Sequence, residues 1–416
     1  MSRHILLQRD FGLFIGGRFA SVLAAQMQWV ANGWYLYDLT GDPMTLGWAG
    51  LASFIPIAIL TLPAGDLSDR MDRRWILGAA HLFQAAAAAV LLALVAMKVT
   101  VTWPFYGALL LSGSTRALAG PASKSLAPLL VPRDQFAQSV AWATSAQQTA
   151  IIAGPALGGL IYLLGAPITF AACFVMALIA TAAMLAIGTR VVASKEGGTT
   201  ALQRALAGLR YLRTQPIVLG AISLDLFAVL LGGVNALLPV FSRDILHVGP
   251  AGLGVLRSMF AVGAITTSLV LAQLPEERQP HAGRALFGGV AIFGIGAIVF
   301  ALGGNFWIAL IALATMGAAD AMSVFVRATV VQLATPEDMR GRVSAIHVLF
   351  VGCTNELGEF RAGLFASLFG PVSAALAGGI GTLIVVGLWT RLFPSLRRVD
   401  RLSEITPRRQ SERQSA

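Results

Sequence analysis

Six of the charged side chains inside long apolar stretches of this sequence, where a charge is costly, are candidates for chemistry. They are Arg18, Arg116, Asp225, Asp320, Glu356 and Glu359. A charge at the centre of a bilayer costs at least about 2.5 kcal/mol, so such residues face a partner or a water-filled cavity. A carboxylate that loses its cationic partner in apolar surroundings takes up a proton. These residues therefore predict proton coupling around a cavity, and static salt bridges between helices are the alternative.

The elements that must position these charges are apolar. Hydrophobic residues make up 56% of the chain and charged residues only 12%. Soluble proteins carry about 25% charged residues, so the composition excludes a soluble enzyme, a disordered chain and a disulfide scaffold. The net charge of +10 does not predict nucleic-acid binding, because most basic residues flank apolar segments. No phosphate-binding loop or zinc spacing of histidines is present, so we expect no cofactor, no metal and no enzymatic activity.

Apolar segments of about 20 residues are long enough to cross a bilayer, and the sequence contains twelve. We therefore predict an all-α membrane protein with twelve transmembrane helices in two pseudo-symmetric six-helix halves. The predicted spans are 11–38, 44–64, 75–97, 103–129, 135–163, 167–189, 216–241, 250–274, 284–302, 305–331, 342–366 and 371–392.

The longest polar break divides the spans six from six. We predict an N-terminal half at 1–190, a cytoplasmic linker with an amphipathic helix at 191–215, a C-terminal half at 216–392 and a disordered cytoplasmic tail at 393–416. Lys and Arg concentrate in alternate loops and in both terminal segments, and such residues favour the cytoplasmic side. Both termini are therefore predicted to lie inside.

The two halves carry an internal repeat. A shift of 204 residues places Gly113 on Gly317 and Gly154 on Gly358, and a shift of 207 places Pro43 on Pro250. Many transporters are built from two such repeats. The same shifts place Arg116 on Asp320 and Arg18 on Asp225. We therefore predict that each pair sets a cation opposite an anion at equal depth.

The segment between spans 2 and 3 reads Gly-Asp-Leu-Ser-Asp-Arg-Met-Asp-Arg-Arg from residue 65 to residue 74. It resembles the loop signature of the major facilitator superfamily of secondary transporters, with Asp72 where glycine is usual. We expect Gly65 to allow a tight exit from the helix, Asp69 to face a helix N-terminus and the arginines to hold the loop in the cytoplasm. The predicted gating residues are Gly65, Asp69, Arg70, Arg73 and Arg74.

Two further motifs resemble this superfamily. Span 4 contains Arg116 and Gly120, similar to a buried Arg-x-x-x-Gly motif that the family associates with proton transfer. Span 5 is similar to the antiporter signature Gly-x-x-x-Gly-Pro-x-x-Gly-Gly, with Ala150 in place of the first glycine, and small residues of this kind let helices approach closely. The antiporter residues are Gly154, Pro155, Gly158 and Gly159. This motif favours export over uptake.

The stretches 37–43 and 355–359 resemble the branch that contains enterobactin-type siderophore exporters and drug and macrolide efflux proteins. That resemblance implies proton-driven export of a bulky organic molecule, siderophore-like or drug-like, from a monomer in a bacterial inner membrane. Its partners are then the substrate, protons and the lipid bilayer. A proton-driven uptake carrier and a non-transporting receptor or lipid-moving protein remain alternatives. Weaker candidates for substrate contact are Gln26, Trp29, Asn32, Phe227 and Asn235.

Overall fold

The computed structural model describes residues 5, 8–189, 201–274 and 281–397, and these ranges are folded mainly into helices. The helices are α1 (Arg9–Thr40), α2 (Met44–Arg70), α3 (Arg73–Ala96), α4 (Trp103–Leu126), α5 (Phe136–Tyr162), α6 (Ala166–Leu185), α7 (Ala201–Thr214), α8 (Pro216–Gly232), α9 (Leu238–Val240), α10 (Gly249–Gln273), α11 (Ala282–Leu302), α12 (Phe306–Ala334), α13 (Glu337–Phe369), α14 (Pro371–Leu392) and α15 (Pro394–Arg397).

Twelve long helices within the described ranges, α1–α6, α8 and α10–α14, fall on the twelve predicted spans. Eight candidate spans in this part of the chain are long and apolar enough to cross a bilayer. The remaining long helices are more polar: α1, α4 and α13 carry charged residues, and α5 carries several glutamines, serines and threonines. The prediction of an all-α membrane fold is confirmed.

The predicted seventh span is discontinuous. Helix α8 ends at Gly232, and the chain continues through short helical turns to a π-helical segment that ends at Ile245. A Cβ atom on Gly232 would lie 2.5 Å from Oγ1 of Thr382, so a larger residue does not fit there. The guanidinium of Arg361 donates a hydrogen bond to the carbonyl of Leu231 at the free end of α8. Glycine and this capping contact explain why the helix stops inside the predicted span.

The chain divides into two compact units. Unit 1 comprises Met1–Ala201 and Asn235–Ser258, and unit 2 comprises Leu202–Val234 and Met259–Ala416. Residues 235–258, which follow the break after α8, therefore group with the first half of the sequence.

In unit 1, α1 packs on α5 and α6, and α4 packs on α2 and α3. The cores between these helices contain large side chains that are almost fully buried, including Phe14 and Phe170. Gly113 brings α4 against α2, because a Cβ atom at this position would lie 2.2 Å from the carbonyl oxygen of Ser53. Gly154 brings α5 against α1 in the same way, near the carbonyl of Leu23.

In unit 2, α11 packs on α12 and α14, and α8 packs on α13 and α14. A Cβ atom on Gly317 would lie 1.9 Å from the carbonyl oxygen of Phe260, which brings α12 against α10. Gly358 brings α13 against α8, near the carbonyl of Leu230. The same contacts occur in unit 1. The glycines of unit 2 lie 204 residues after those of unit 1, and the residues that they contact lie 207 residues after their counterparts. The predicted repeat is therefore visible in the helix contacts of each unit.

The segment between the two halves contains α7, and residues 190–200 lie outside the described ranges. Tyr211 and Leu212 on α7 are buried, whereas Arg210 and Arg213 are exposed. The Tyr211 hydroxyl donates a hydrogen bond of 3.3 Å to the carbonyl of Ala334 at the end of α12. This end of α7 is therefore amphipathic and packs within unit 2. The predicted tail at 393–416 lies outside the described ranges from residue 398 onward.

Candidate transport site

Unit 2 contains a buried ion pair between α8 and α12. Nη1 of Arg327 contacts Oδ1 of Asp225, and the two side chains are only 3% and 8% exposed. Asp225 was predicted from the sequence as a site residue, whereas Arg327 was not. Arg327 could have been found from the sequence, because it is a second charge within the tenth predicted span, seven residues after Asp320.

A small cavity lies beside this ion pair, with room for about one water molecule. Asp225 and Asp320 both line it, together with the hydroxyl-bearing Ser323. Asp320 forms no hydrogen bond or ion pair with any residue that the structure describes. The remaining lining is mainly apolar: Ala228, Val229, Gly289, Val290, Phe293 and Ala319.

The two predicted carboxylates on α13 lie near the break after α8. Glu356 is 5% exposed, Glu359 is partly buried, and each has an interaction partner. Arg361 on the same helix was missed by the sequence analysis; besides donating to Leu231 it lies over the ring of Phe365, 5.6 Å from the ring centroid.

In unit 1 the predicted charges on α1 and α4 are arginines. Arg18 is partly buried and donates a hydrogen bond to the side-chain oxygen of Gln147 on α5. Arg116 is exposed, and Gly120, one turn later, has no neighbour within 4 Å of an added Cβ. The Arg-x-x-x-Gly motif therefore occupies a face of α4 that α2 and α3 leave uncovered.

The predicted pairs of Arg18 with Asp225 and Arg116 with Asp320 each join residues of different units, and they stay predictions. Within its own unit, Asp225 is paired with Arg327.

Trp29 on α1 is covered by Arg257, a third arginine that was not predicted from the sequence. The guanidinium carbon of Arg257, on α10, lies 3.3 Å from the centroid of the Trp29 ring. A cation over an indole face is attracted by the ring quadrupole. Because Trp29 and Arg257 are both only partly buried, the pair offers a flat, positively charged surface within unit 1.

The antiporter motif packs tightly on two helices of unit 1. A Cβ atom on Gly158 would lie 2.8 Å from Cα of Met27 on α1. One on Gly159 would lie 2.3 Å from the carbonyl of Pro250, and one on Gly254 of α10 would lie 2.3 Å from the carbonyl of Pro155. The glycines therefore let the backbone of α5 touch those of α1 and α10.

The last turn of α1 is joined to the π-helical segment by polar contacts. The Tyr37 hydroxyl donates to Oδ2 of Asp244. Arg243 pairs with Asp38 at 3.1 Å and donates to the carbonyl of Tyr37 at 3.0 Å. We call Tyr37, Asp38, Arg243 and Asp244 the α1 end cluster. It fixes residues 235–258 to unit 1, and the sequence analysis did not identify it.

The gating segment is helical for longer than predicted. Helix α2 continues through Gly65 to Arg70, so the expected tight exit at Gly65 is wrong; nothing crowds this glycine, and the turn falls at Met71 and Asp72. Asp72 caps α3 by accepting a hydrogen bond of 3.1 Å from the Arg74 backbone. This is a physical reason for aspartate where the family has glycine.

The arginines of this segment differ in their surroundings. Arg74 pairs with Asp72 at 2.6 Å and also donates to the carbonyl of Ile187 after α6. Arg70 is exposed and Arg73 is partly buried, and the side chain of Asp69 lies outside the described part of the chain.

The weaker substrate candidates are scattered. Gln26 packs against Gly154, and Asn32 is 6% exposed. Asn235 begins the short helical turn after the α8 break. The ring of Phe227 packs against Trp389 in a tilted arrangement, 5.1 Å between ring centroids, which indicates a packing role within unit 2.

Comparison with known proteins identifies the class. The chain matches the transmembrane secretion effector family over residues 8–414, and it belongs to that family. It is 26% identical to macrolide efflux protein A of Streptococcus pyogenes over 404 residues, 92% of this chain and 96% of that protein. It is 28% identical to the enterobactin exporter EntS of Escherichia coli over 197 residues, 47% of each chain.

The fold agrees with this assignment. A bacterial homologue of the lysosomal transporter Spinster superposes with a TM-score of 0.74 at 14% identity, over 94% of this chain and 98% of that one. The protein is therefore a multi-pass membrane transporter of the major facilitator superfamily with efflux-type relatives, and it is not an enzyme.

Proposed function

We propose that this transporter exports a small organic molecule, siderophore-like or drug-like, in exchange for protons. It acts as a monomer by alternating access, with both termini in the cytoplasm of a bacterial cell. The observation that carries the direction of transport is the packing of α5. Gly158, Gly159 and Gly254 hold α5 in backbone contact with α1 and α10, as close helix approach through small residues requires, and the sequence at these contacts is the antiporter signature.

Charge distribution supports the proton part of the proposal. Away from the ends of the predicted spans, the helices of unit 2 carry Asp225, Asp320, Glu356 and Glu359 against Arg327 and Arg361. Carboxylates in surplus inside a membrane are functional candidates by default, because their cost must be offset by a partner or by protonation. A carboxylate of this set therefore takes up the proton that drives export.

Unit 1 supports an amphiphilic substrate with a negative group. Arg18, Arg116 and Arg257 lie within its predicted spans, and Arg257 is stacked on Trp29. Such a surface binds an aromatic ring by stacking and an anionic group by charge-assisted hydrogen bonds. A catecholate siderophore meets both requirements better than a cationic drug does.

The gating segment is proposed to brace the cytoplasmic side. Arg74 connects the start of α3 to the end of α6 through Ile187, and Asp72 fixes the turn. Gly65, Asp69, Arg70 and Arg73 complete the segment that changes its contacts when the transporter opens.

The test is transport into proteoliposomes with an imposed pH gradient, using a radiolabelled macrolide and a radiolabelled catecholate siderophore. We expect uphill movement of the siderophore opposite to the proton flux. The Gly159→Leu variant is expected to lose at least about tenfold in rate, because Leu collides with the Pro250 backbone. Gly107→Leu, at an exposed glycine of α4 where an added Cβ meets no neighbour, is the matched control and keeps wild-type flux.

Two results contradict the proposal. Movement of substrate and protons in the same direction identifies an uptake carrier. Absence of exchange for every solute, with correctly folded protein, favours a receptor or a lipid-moving protein.

A further inference from the structure

The cavity of unit 2 lies where α8, α11 and α12 meet, and it holds more negative than positive charge. Asp225 and Asp320 line it, and Arg327 is bound to Asp225. With both carboxylates ionised, these three residues carry one net negative charge. Neutrality then requires a single additional positive charge.

Arg327 forms an ion pair with Asp225 and therefore does not neutralise Asp320. The pair is almost completely buried, with exposed fractions of 3% and 8%. Arg327 lies two helical turns after Asp320 on α12, about 10 Å along the axis. Removal of one partner from a buried pair leaves an uncompensated charge, so Asp225 stays ionised as long as Arg327 is present.

Asp320 and Ser323 are the polar side chains of the cavity that have no partner among the described residues. Asp320 has no hydrogen bond or ion pair with the described residues. Ser323 is 2% exposed, and its hydroxyl has no hydrogen-bond partner within the described part of the chain. The two residues lie three apart on one face of α12, and both line the cavity. A buried polar group without a partner costs about 1–3 kcal/mol, so the Ser323 hydroxyl, beside the partly buried Asp320, indicates a missing occupant.

The helix arrangement isolates Asp320 from other titratable groups. Helix α11 approaches closely at Gly289, where an added Cβ would lie 3.0 Å from the carbonyl of Ala319, and α11 has no titratable residue after Arg284. The part of α10 in unit 2, residues 259–273, has none. Helix α8 contributes only Asp225. On α13, which packs on α8, Glu356 and Glu359 have interaction partners, as does Arg361.

We propose that this cavity is the coupling-cation site, that it takes one monovalent cation, and that Asp320 is its ligand while Arg327 is a positioning residue that keeps Asp225 ionised. The inference rests on the proposed function, since export needs a coupling cation. When the cation is a proton, it converts the Asp320 carboxylate to a neutral carboxylic acid, whose O–H donates to Ser323 or to a water in the cavity. Release of the proton reverses the step.

The test is infrared difference spectroscopy of the purified full chain during a pH titration, which detects protonated carboxyl groups without any substrate. The wild-type protein should show a buried carboxylic acid band that Asp320→Asn removes. Asp134→Asn, which changes an exposed carboxylate, is the matched control and retains the band. If the band persists in Asp320→Asn, the assignment of Asp320 is overturned.

The role of Arg327 has its own readout. Arg327→Gln leaves Asp225 without a cation, so a second carboxylic acid band should appear, and Arg327→Lys should suppress it again. If Arg327→Gln fails to fold, the double variant Asp225→Asn/Arg327→Gln removes both charges and should show the single Asp320 band. If a folded double variant loses that band, then Asp320 does not bind the cation independently of the Asp225–Arg327 pair, and the roles assigned to Asp320 and Arg327 are overturned.

The cation is identified by replacing K⁺ with Na⁺ at constant ionic strength and following thermal unfolding. A sodium-dependent rise in Tm that Asp320→Asn abolishes supports the cavity as a sodium site and contradicts proton coupling. An unchanged Tm is expected when the cation is a proton, and an unchanged Tm together with the absence of a carboxylic acid band that depends on Asp320 overturns the site. A carboxylic acid band together with no flux driven by a pH gradient leaves the cavity assignment intact and refutes the proposed function instead.

Discussion

In unit 1, Gly113 brings α4 against α2, and in unit 2, Gly317 brings α12 against α10 in the same way. The charges that these equivalent helices carry differ in sign. Helix α4 presents Arg116 on an exposed face, whereas α12 presents Asp320 at a small cavity. Duplication has therefore preserved the glycines at which helices touch, whereas the charges at Arg116 and Asp320 have diverged.

The units also differ in how charge is held. In unit 2, Asp225 and Arg327 form a pair that is almost fully buried. The ion pairs of the α1 end cluster in unit 1 are more exposed, with 35% for Arg243 and 55% for Asp38. Buried pairs are costly to break from one side, and exposed pairs contribute little. Unit 2 should therefore be sensitive to single charge changes and unit 1 tolerant of them.

The largest effect is expected from breaking the buried pair. Arg327→Leu leaves Asp225 buried without its cation, so the carboxyl must take up a proton at a cost, and the protein should be destabilised by about 3–5 kcal/mol. The double variant Asp225→Leu/Arg327→Leu should recover most of this loss, because no buried charge remains. Chemical unfolding in detergent measures both. Equal destabilisation by the single and double variants contradicts a charge-based explanation and indicates packing.

The duplicated glycines should respond alike in the two units. Gly113→Ala and Gly317→Ala each place a Cβ atom about 2 Å from a carbonyl oxygen, and overpacking of this kind costs about 1–3 kcal/mol. Gly120→Ala is the control and should be neutral or slightly stabilising, by up to about 1 kcal/mol. Thermal unfolding of the three variants tests the comparison, and a large effect at one repeated glycine only contradicts equivalent packing.

Helix positions and the repeat were predictable because they depend on patterns of many residues. Apolar runs of bilayer length gave the spans, and recurring Gly, Pro and Asp positions gave the offsets that Gly317 and Gly358 now satisfy. The break after Gly232 was not predictable from hydropathy, because residues 233–241 are as apolar as a helix requires. What stops the helix is the contact of Gly232 with Thr382 and the cap from Arg361, which come from distant parts of the sequence.

Individual charges were predictable, but their partners were not. Asp225 and Asp320 were selected because they interrupt apolar spans. Arg327 was overlooked although it interrupts one as well, and only the packing of α8 on α12 reveals its pairing with Asp225. The α1 end cluster likewise depends on the π-helical turn at 241–245, which brings Arg243 and Asp244 to the end of α1.

A smaller effect is expected at the α1 end cluster. Arg243→Ala removes the ion pair with Asp38 and the hydrogen bond to Tyr37, and it should cost less than about 1 kcal/mol because the pair is partly solvated. Its consequence should be local. Hydrogen exchange should accelerate at residues 37–41 and 241–248 and stay unchanged in α11 and α12. Destabilisation as large as that of Arg327→Leu contradicts the contrast between the units.

The smallest effect concerns Asp10 at the start of α1. Partial burial raises the pKa of this carboxyl, but hydrogen bonds from the Thr189 side chain and from the Gly188 and Thr189 backbone outweigh it, so the pKa is lowered. A lowered pKa stabilises the folded state at pH values above the unfolded pKa, about 3.9, and this contribution disappears as the pH falls through the folded value. Asp10→Asn should therefore reduce stability at pH 7 by no more than about 0.5 kcal/mol after solvent screening. The difference from the wild type should vanish at low pH in unfolding measurements. If the stability difference persists at low pH, it comes from lost hydrogen bonds and not from the carboxylate charge. Asp10 then stabilises unit 1 through its contacts with the backbone, unlike the residues of its ion pairs.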